Sequence, residues 1–236
     1  MNEQDFIKAL KNIGIELDDE QKVMFKKYAI FLLKYNEHTN LTAIKTVEDV
    51  YLTHFYDSLL MTKYYDISKK SILDIGSGAG FPGVPLKICF RDIDLTVLDS
   101  NGKKTEFLRQ LKSALNLDYT VINERAEKYN LKKREAFDVV TSRAVTSMPV
   151  LAELSIPFVK LGGIFVAYKG KIDDTLENGI YAVETLGGEV IKVEETTLPF
   201  KGATRSFVFV SKKCKTREEF PRSFDKISKK PLQKLQ

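Results

Sequence analysis

A glycine-rich turn holds the residues best suited to chemistry in this 236-residue chain. Gly76, Gly78 and Gly80 follow the apolar run Ser71–Ile75, and Pro82 stands where a helix would begin. Glycines allow the backbone to approach a ligand closely, and a helix N-terminus offers that ligand free amide groups. The pattern predicts a small-molecule site after a β-strand; the alternative is a tight turn that binds nothing.

The spacing and the charge of this turn distinguish between cofactors. Dinucleotide-binding turns have the order G-x-G-x-x-G, whereas here the order is G-x-G-x-G, with Phe81 where the third dinucleotide glycine would fall. Asp74 stands two residues before the first glycine. Its carboxylate would repel a pyrophosphate but suit a ligand that carries an ammonium and a sulfonium, so electrostatics favours S-adenosylmethionine. The cofactor-binding residues predicted in this turn are Asp74, Gly76, Ser77, Gly78, Gly80 and Phe81.

A second carboxylate lies at the distance along the chain at which an acid meets a ribose. Asp99 ends the next apolar run, about 20 residues beyond the glycines. A carboxylate there accepts hydrogen bonds from two ribose hydroxyls, so Asp99 is a predicted cofactor ligand. Its alternative role is the N-cap of a helix that includes Lys103.

The elements that position these residues alternate between β-rich runs and helical stretches after residue 70. The predicted parallel strands are Ser71–Ile75, Asp94–Asp99, Tyr119–Asn123, Phe137–Ser142 and Gly163–Tyr168. The helices predicted between and after them are Pro82–Phe90, Lys103–Asn116, Met148–Val159 and Asp173–Leu186. Two last strands, Glu189–Thr196 and Arg205–Lys212, are joined by too few residues for a crossover helix and are therefore antiparallel. This α/β pattern of seven mostly parallel strands resembles the class I (Rossmann-like) methyltransferase fold.

Before residue 70 the pattern is helical. Apolar residues recur at helix spacing from Phe6 to Ile13, and Asp18 with Gln21 resembles a capping box that opens a second helix. A third helix is predicted from about Val47 to Tyr64. The expected organisation is an N-terminal helical extension (1–69) packed on the core, a methyltransferase core (70–212) and a basic C-terminal tail (213–236).

The end of the fourth strand bears on the target atom, because in this fold the methyl group faces that edge of the sheet. The sequence there, Thr141-Ser142-Arg143-Ala144-Val145, lacks the Asn/Asp-Pro-Pro-aromatic run of amino-group methyltransferases and the Pro-Cys nucleophile of cytosine-C5 enzymes. Guanine N7 has an in-plane lone pair and needs no proton removed, so positioning and electrostatics suffice for such an acceptor. Arg143 would hold the base, a phosphate or the cofactor carboxylate, or else pair with Asp74 or another acid at the strand ends.

Composition narrows the class of protein. With 43% apolar and 29% charged residues the chain can bury a core, and no apolar run approaches the ~18–20 residues of a membrane span. The N-terminus is acidic and polar, unlike a secretion signal, so we expect a soluble, cytoplasmic protein. Cys89 and Cys214 lie far apart and only two histidines are present, so we expect reduced thiols and no metal.

The net charge of +5 is concentrated in the tail. Residues 212–236 contain nine lysines and arginines and three acids, which gives that segment +6 and leaves the rest of the chain slightly negative. Such a tail is either a solvated, solubilising end or the electrostatic footprint of a phosphate-backbone partner.

Further segments follow one known family along nearly the whole chain. They are Tyr35-Asn36, Asn40-Leu41-Thr42-Ala43, His54, Asp57-Ser58-Leu59, the turn from Asp74 to Gly83, Leu98-Asp99-Ser100, Lys103-Lys104, Arg125-Ala126-Glu127, Ser142-Arg143-Ala144, Lys169-Gly170, and Leu198-Pro199 followed by Arg205. Together they resemble the RsmG family, also called glucose-inhibited division protein B, the N7-guanosine methyltransferase of 16S ribosomal RNA. The tail matches at Pro221-Arg222, Lys229 and Pro231-Leu232 but has Asp225 where the family has glycine.

The resemblance implies an S-adenosylmethionine-dependent enzyme that methylates guanosine N7 in the decoding region of 16S rRNA within the small subunit. The residues it implies are Arg143, Asn36 and His54 as catalytic residues, Ala126, Glu127 and Arg143 near the cofactor, and Lys169, Arg205 and Arg222 as RNA-binding residues around the substrate entrance. Phosphate contacts by lysine and arginine would make binding salt-dependent. We expect a monomer without a membrane or metal partner.

Several alternatives stay open at this point. His54 is either a functional residue or a satisfied core histidine, and Phe81 and Tyr168 either stack on a base or pack in the core. A small-molecule methyltransferase of the same fold would not explain the basic tail. An RNA-binding relic without catalysis would not explain an intact loop with Asp74 and Asp99.

Overall fold

The apolar runs predicted as strands form one sheet. A computed structural model of the protein describes residues 1–143, 146–170 and 176–234, with side chains throughout except at 176–178. Ala144, Val145 and the start of the helix predicted from Asp173 lie outside the described residues. The strands are Ser71–Ile75 (β1), Asp94–Asp99 (β2), Thr120–Asn123 (β3), Phe137–Ser142 (β4), Val159–Lys169 (β5), Gly188–Thr197 (β6) and Thr204–Lys212 (β7).

The order of the strands across the sheet is β3-β2-β1-β4-β5-β7-β6. Strands β1 to β5 pair in parallel, and β7 lies antiparallel between β5 and β6. The predicted seven-stranded, mostly parallel sheet is therefore confirmed. Both faces of β1 and β2 are covered, which is why these strands are almost continuously apolar in sequence.

The register brings the predicted site residues to one edge of the sheet. Ile75, the last residue of β1, pairs with Leu98 on one side and Ser142 on the other. The residues that follow, Gly76, Asp99 and Arg143, therefore leave neighbouring strands side by side. The strand order reverses between β1 and β4, and open α/β sheets bind ligands at such a switch point.

Nine helical elements surround the sheet in the described part of the chain. They are Glu3–Lys11 (α1), Asp19–Thr39 (α2), residues 47–63 (α3), Gly83–Cys89 (α4), Gly102–Leu115 (α5), Ala126–Lys133 (α6), Met148–Ser155 (α7), Leu176–Thr185 (α8) and Phe224–Lys229 (α9). The sequence did not predict α6 or α9. Ala126 and Glu127, predicted only as residues near the cofactor, open α6. None of these helices is long and apolar enough to cross a membrane.

Helix α7 is shorter than predicted. It ends at Ser155, a 3₁₀ turn follows at Ile156–Phe158, and β5 begins at Val159. Pro157 has no backbone N–H and disfavours helical backbone in the residue before it, so the helix cannot continue to Val159 as the apolar pattern suggested.

The N-terminal helices begin as predicted but α3 is not uniform. The capping box of α2 is confirmed, since the Asp18 side chain accepts from the Gln21 N–H at 2.8 Å and the Gln21 side chain accepts from the Asp18 N–H at 2.9 Å. In α3 a π-helical stretch, Val50–Tyr56, lies between short α-helical turns, and the segment ends in a 3₁₀ turn at Leu60–Lys63.

One hydrophobic cluster joins the N-terminal helices to the sheet. Phe25 of α2 lies 5.1 Å from Phe6 of α1 and 5.0 Å from Phe55 of α3, measured between ring centroids. The same cluster includes Val97 of β2 and Val139 of β4. The opposite face of the sheet packs against α7 and α8 in a second cluster. Helices α1 and α2 thus fix the position of α3 over the carboxyl end of β1.

Candidate functional site

The carboxylate of Asp74 holds the glycine-rich loop together. It is completely buried, and it accepts hydrogen bonds from the Ser77 hydroxyl, from the Gly83 N–H at 3.0 Å and from the Thr141 hydroxyl at 3.2 Å. Burial raises the pKa of the Asp74 carboxyl to about 6, although the hydrogen bonds act in the opposite direction. These three contacts are sufficient to explain why an acid stands at position 74. A direct contact between Asp74 and the cofactor stays a prediction.

The glycines of the loop have two different tasks. Gly76, Gly78 and Gly80 all have positive φ, a backbone region that favours glycine. A Cβ at Gly80 would also lie 2.6 Å from the Tyr28 hydroxyl and 2.8 Å from Val84 Cγ2. Gly80 therefore allows α2 to approach the loop, and the Tyr28 hydroxyl donates to the carbonyl oxygen of Ala79 there.

Asp99 faces the space beside the loop. Its carboxylate accepts from the Gly78 N–H at 3.0 Å and from the Asn101 N–H at 2.8 Å, which orients it at the end of β2. Its alternative role as an N-cap is wrong, because Asn101 caps α5 by accepting from the Lys103 N–H at 2.9 Å. The side chain of Asp99 is thereby left to line a cavity.

That cavity, of about 390 Å³, opens at the carboxyl ends of the parallel strands. Its volume is within the range of small-molecule sites. Of the predicted cofactor-binding residues, Gly76, Asp99, Ala126 and Glu127 line it. The sequence did not predict the lining residues Val150, Leu151, Leu154, Phe224, Ser228 and Pro231. These come from α7 and from the C-terminal tail, whose distance from the loop in sequence gave no signal.

Three stacked rings lie behind the loop. The ring of Phe81 stacks with that of His54, at 4.4 Å and 19°, and with that of Tyr28, at 5.4 Å and 8°. Phe81 is also buried, which favours its packing role over stacking on adenine. Tyr168 is also buried, and its hydroxyl donates to the carbonyl oxygen of Ser58 at 2.8 Å. Core packing accounts for both aromatics.

A buried carboxylate from α3 binds two arginines. Asp57, 3% exposed, contacts Arg143 at 3.0 Å through Oδ2 and Arg205 at 2.8 Å through Oδ1. Asp74 is not the ion-pair partner of Arg143, since its carboxylate is bound by Ser77, Gly83 and Thr141. The alternative that Arg143 pairs with another acid is confirmed, although that acid, Asp57, comes from α3 and not from a strand end. Asp57 was part of a matching sequence segment, but nothing in its neighbourhood along the chain indicated these partners. We call Asp57, Arg143 and Arg205 the arginine cluster.

His54 joins the arginine cluster as a neutral ring. Arg143 Nη2 lies 3.3 Å from Nδ1, and the Thr42 hydroxyl lies 2.8 Å from Nε2. Because a guanidinium can only donate, Nδ1 accepts and the proton is on Nε2. Burial, together with the charge of Arg143, lowers the pKa of His54 to about 3.

Asn36 acts on His54 through the backbone of Thr42. Its side-chain amide donates to the Thr42 carbonyl oxygen at 2.8 Å and accepts from the Thr42 N–H at 3.0 Å. This pair of bonds fixes the loop after α2, so that the Thr42 hydroxyl meets the imidazole. The structure thus connects four of the predicted residues: Asn36, His54, Arg143 and Arg205.

The remaining predicted RNA-binding residues have different surroundings. Lys169, at the end of β5, donates to the carbonyl oxygen of Thr146, which lines the cavity. Arg222 forms a two-pronged ion pair with Glu153 of α7, at 2.8 Å from Nε and 2.6 Å from Nη2. Glu153 is fully buried, so Arg222 anchors the tail to α7; an additional RNA contact stays a prediction.

Known structures share this fold. P. horikoshii TYW2 in complex with MeSAdo superimposes with a TM-score of 0.54 at 12% identity, covering 66% of this chain and 61% of that one. A ribosomal protein L11 methylase from Lactobacillus delbrueckii subsp. bulgaricus gives a TM-score of 0.52 at 12% identity, covering 69% and 79%. The strand order and the cavity at the switch point are those of the class I methyltransferase fold.

Sequence comparisons identify the family. The profile described as rRNA small subunit methyltransferase G (GidB) matches residues 21–203. Proteins named ribosomal RNA small subunit methyltransferase G from Bacillus cereus (strain B4264) and Bacillus thuringiensis (strain Al Hakam) are 44% and 43% identical over 99% of this chain and 100% of their own length. The chain belongs to the rRNA small subunit methyltransferase G family.

Proposed function

We propose that the protein transfers a methyl group from S-adenosylmethionine to N7 of a guanosine in the decoding region of 16S rRNA, within the small subunit. The observation that carries this proposal is the cavity at the carboxyl ends of β1, β2 and β4, lined by Asp99, in a member of a ribosomal RNA methyltransferase family. His54 and the arginine cluster lie beside the glycine-rich loop, where the Arg143 guanidinium is 5.0 Å from the Phe81 ring centroid.

The charges around the cavity fit a cationic cofactor. Among the described residues that line it, Asp99, Glu124 and Glu127 are acids, and Arg125 is the one arginine. This excess of negative charge suits an ammonium and a sulfonium and disfavours a pyrophosphate. Apolar side chains of Ile75, Leu98, Val150 and Leu151 provide the walls, as in most small-molecule sites.

Each side chain of the site has a binding or orienting role. S-adenosylmethionine, when bound, supplies an electrophilic methyl group on its sulfonium. The Asp99 carboxylate is held by two backbone N–H groups and accepts the ribose hydroxyls. Arg143 follows β4, and its guanidinium donates to Asp57 and to the carbonyl oxygen of Thr53 in α3. The guanidinium lies 5.0 Å from the Phe81 ring centroid.

The acceptor that this site suits needs no general base. His54 contacts Arg143 at 3.3 Å, and both of its ring nitrogens are engaged. Guanine N7 carries a free lone pair, so orientation of the base in line with the methyl group is sufficient. A neutral His54 then serves to position Arg143 and removes no proton.

Cofactor binding tests the role of Asp99. The substitution Asp99→Ala removes the acceptor of the ribose hydroxyls, so we expect the dissociation constant for S-adenosylmethionine to rise about 10- to 100-fold. Calorimetry measures this constant directly. Asp94→Ala, at the opposite and exposed end of the same strand, is the matched control. Unchanged affinity in the Asp99 variant would contradict the assignment.

RNA binding tests the role of the arginine cluster. If Arg205 contacts a phosphate, Arg205→Ala lowers the slope of log affinity against log salt by about 0.7. Arg109→Ala removes an exposed arginine of α5, which pairs with Glu106, and should leave the slope unchanged. Absence of any salt-dependent RNA affinity in the wild-type protein would instead favour a small-molecule methyltransferase.

The reaction itself is tested on ribosomal particles. Purified protein is incubated with labelled S-adenosylmethionine and unmodified small subunits, and the modified nucleotide is located by mass spectrometry. We expect one methyl group on N7 of a guanosine of 16S rRNA. Label on another base, or on another atom of guanine, refutes the proposed acceptor.

A further inference from the structure

The C-terminal tail forms part of the wall of the cavity. Phe224 and Ser228 of α9, together with Pro231 beyond it, line the cavity alongside residues 124–127. The sequence assigned this segment a solvated or RNA-binding role because of its charge. Its apolar side chains Phe224 and Pro231 line the cavity, whereas the charge of the segment alone suggests that it lies in solvent or on RNA.

Buried contacts hold the tail in this place. Ile227 of α9 is completely buried, and Phe220 is 5% exposed. Arg134, the residue after α6, donates to the carbonyl oxygens of Thr216, Arg217 and Phe220 at 2.6, 2.8 and 2.6 Å. The ion pair between Arg222 and Glu153 fixes the segment between Phe220 and α9. The tail up to Pro231 is therefore a built part of the molecule.

Phe224 is the residue of the tail best placed to meet a ligand. It is 37% exposed although both Ile227 and Phe220 beside it are buried, and its ring lines the cavity. The guanidinium carbon of Arg125 lies 4.9 Å from its ring centroid, which holds the ring against the start of α6. An aromatic face at this position lies next to Ala126 and Glu127.

We propose that residues 220–231 belong to the cofactor site, with Phe224 and Pro231 forming the apolar surface against the adenosine part of S-adenosylmethionine. This inference rests on the proposed function. The adenosine part is indicated because Asp99, the ribose acceptor, and residues 124–127 line the same cavity as Phe224. A purine ring offers a flat face that stacks favourably on an aromatic side chain.

The substitution Phe224→Ala tests the proposal by cofactor binding. We expect the dissociation constant for S-adenosylmethionine, measured by calorimetry, to rise about tenfold, the effect typical of one lost base–aromatic stack. The constant for 5′-methylthioadenosine, which has the adenosine part without the amino acid, should rise by the same factor. Phe200→Ala is the matched control, since Phe200 is 72% exposed in the loop between β6 and β7 and does not line the cavity.

A second measurement follows the tail itself. Trypsin cleaves after lysines that are not followed by proline, and Lys226 and Lys229 of α9 meet this condition. If the tail forms a wall of the cofactor site, S-adenosylmethionine slows cleavage at these lysines in the wild-type protein. The same protection is weaker in the Phe224→Ala variant.

The possible results separate this inference from the function on which it rests. If the wild-type protein binds S-adenosylmethionine and Phe224→Ala binds it equally well, the inference is wrong and the proposed function stands. If Phe224→Ala loses RNA affinity but keeps cofactor affinity, the tail is an RNA contact and the inference is again overturned. If the wild-type protein does not bind S-adenosylmethionine, both proposals fail.

Discussion

At the scale of single residues, the arginine cluster depends on one carboxylate. Asp57 binds guanidinium groups that lie 86 and 148 residues further along the chain. A buried acid without partners is costly, and two arginines held by one acid leave a net positive charge next to the loop. Asp57 is therefore a positioning residue for Arg143 and Arg205.

The substitution Asp57→Asn should weaken both positions at once. We expect the free energy of unfolding to fall by about 1–3 kcal/mol, because two partly exposed guanidinium groups lose their anion. The rate of methyl transfer should fall about 10- to 100-fold while affinity for S-adenosylmethionine stays the same, since only orientation is lost. Urea denaturation and single-turnover assays measure these effects. Asp118→Asn, with a side chain 99% exposed, is the control and should change neither quantity.

The low pKa of His54 makes stability depend on pH. In the folded protein the pKa is about 3, against 6.5 for an ordinary histidine. Between these values the unfolded chain takes up a proton that the folded chain does not. The contribution of neutral His54 is therefore complete above pH 6.5 and is lost as the pH falls toward 3.

A histidine variant isolates this effect. Between pH 7.5 and pH 5, wild-type protein should lose up to about 2 kcal/mol more of its free energy of unfolding than His54→Gln does. Urea denaturation at the two pH values provides the comparison. His38→Gln, at the exposed end of α2, should follow the wild-type protein. Parallel curves for wild type and His54→Gln would show that His54 does not carry the pH dependence.

At the scale of elements, the glycine-rich loop is held in its conformation by residues that do not line the cavity. Asp74 binds both ends of the loop, through Ser77 and Gly83, and Gly80 gives α2 room to approach. The sequence located this loop correctly because an apolar strand, glycines and a proline follow one another there. The task of each residue was not predictable, since Tyr28 and Thr141 belong to other elements.

Two glycine variants, one in this loop and one in β5, separate the effect of backbone strain on stability from the effect of packing. Gly80→Ala places a Cβ 2.6 Å from the Tyr28 hydroxyl at positive φ, so we expect a loss of about 3–5 kcal/mol in the free energy of unfolding. Gly162→Ala also has positive φ but meets nothing within 4 Å, and should cost only about 1–2 kcal/mol. Denaturant unfolding of both variants gives the comparison. Equal losses would mean that the contact with α2 is unimportant.

Elements with a strong apolar pattern were predicted well, and weakly patterned ones were missed. β1, β2 and β4 have the predicted bounds because each is a buried run that ends in a turn. α6 buries only Tyr129 and Asn130, so its sequence resembles a polar loop. α9 buries only Ile227, and Asp225 lies in its first turn, where an acid suits the helix dipole.

At the scale of the whole molecule, the tail connects the last strand back to α7. Arg222→Ala leaves the Glu153 carboxylate buried without its cation, so we expect the free energy of unfolding to fall by about 2–4 kcal/mol. Adding Glu153→Gln to this variant removes the stranded charge and should restore part of the loss. Thermal or urea unfolding of the single and double variants measures both effects. A double variant less stable than Arg222→Ala would argue against this pairing.

The site illustrates what a single sequence allows at this scale. The place of the glycine-rich loop after β1, the place of Asp99 at the end of β2 and the family were predictable, since each depends on residues close together in the chain or on ordered segments. The wall of the cavity was not, because Phe224 and Val150 approach Asp99 only after the chain has folded. For the same reason, nothing in the sequence indicated that Arg222, predicted as an RNA-binding residue, pairs with Glu153, which lies 69 residues earlier.

The π-helical stretch of α3 has a consequence for length variation in this chain. A π-helix bonds one residue further along than an α-helix, so Val50–Tyr56 carries a surplus residue relative to regular helix. Deleting one residue from Val50–Thr53 would let the segment shorten to α-helix while Asp57 keeps its direction toward Arg143. The same deletion in α2 would rotate everything beyond it by about 100°. We therefore expect natural or engineered one-residue deletions in this part of the protein to be tolerated in α3 and not in α2.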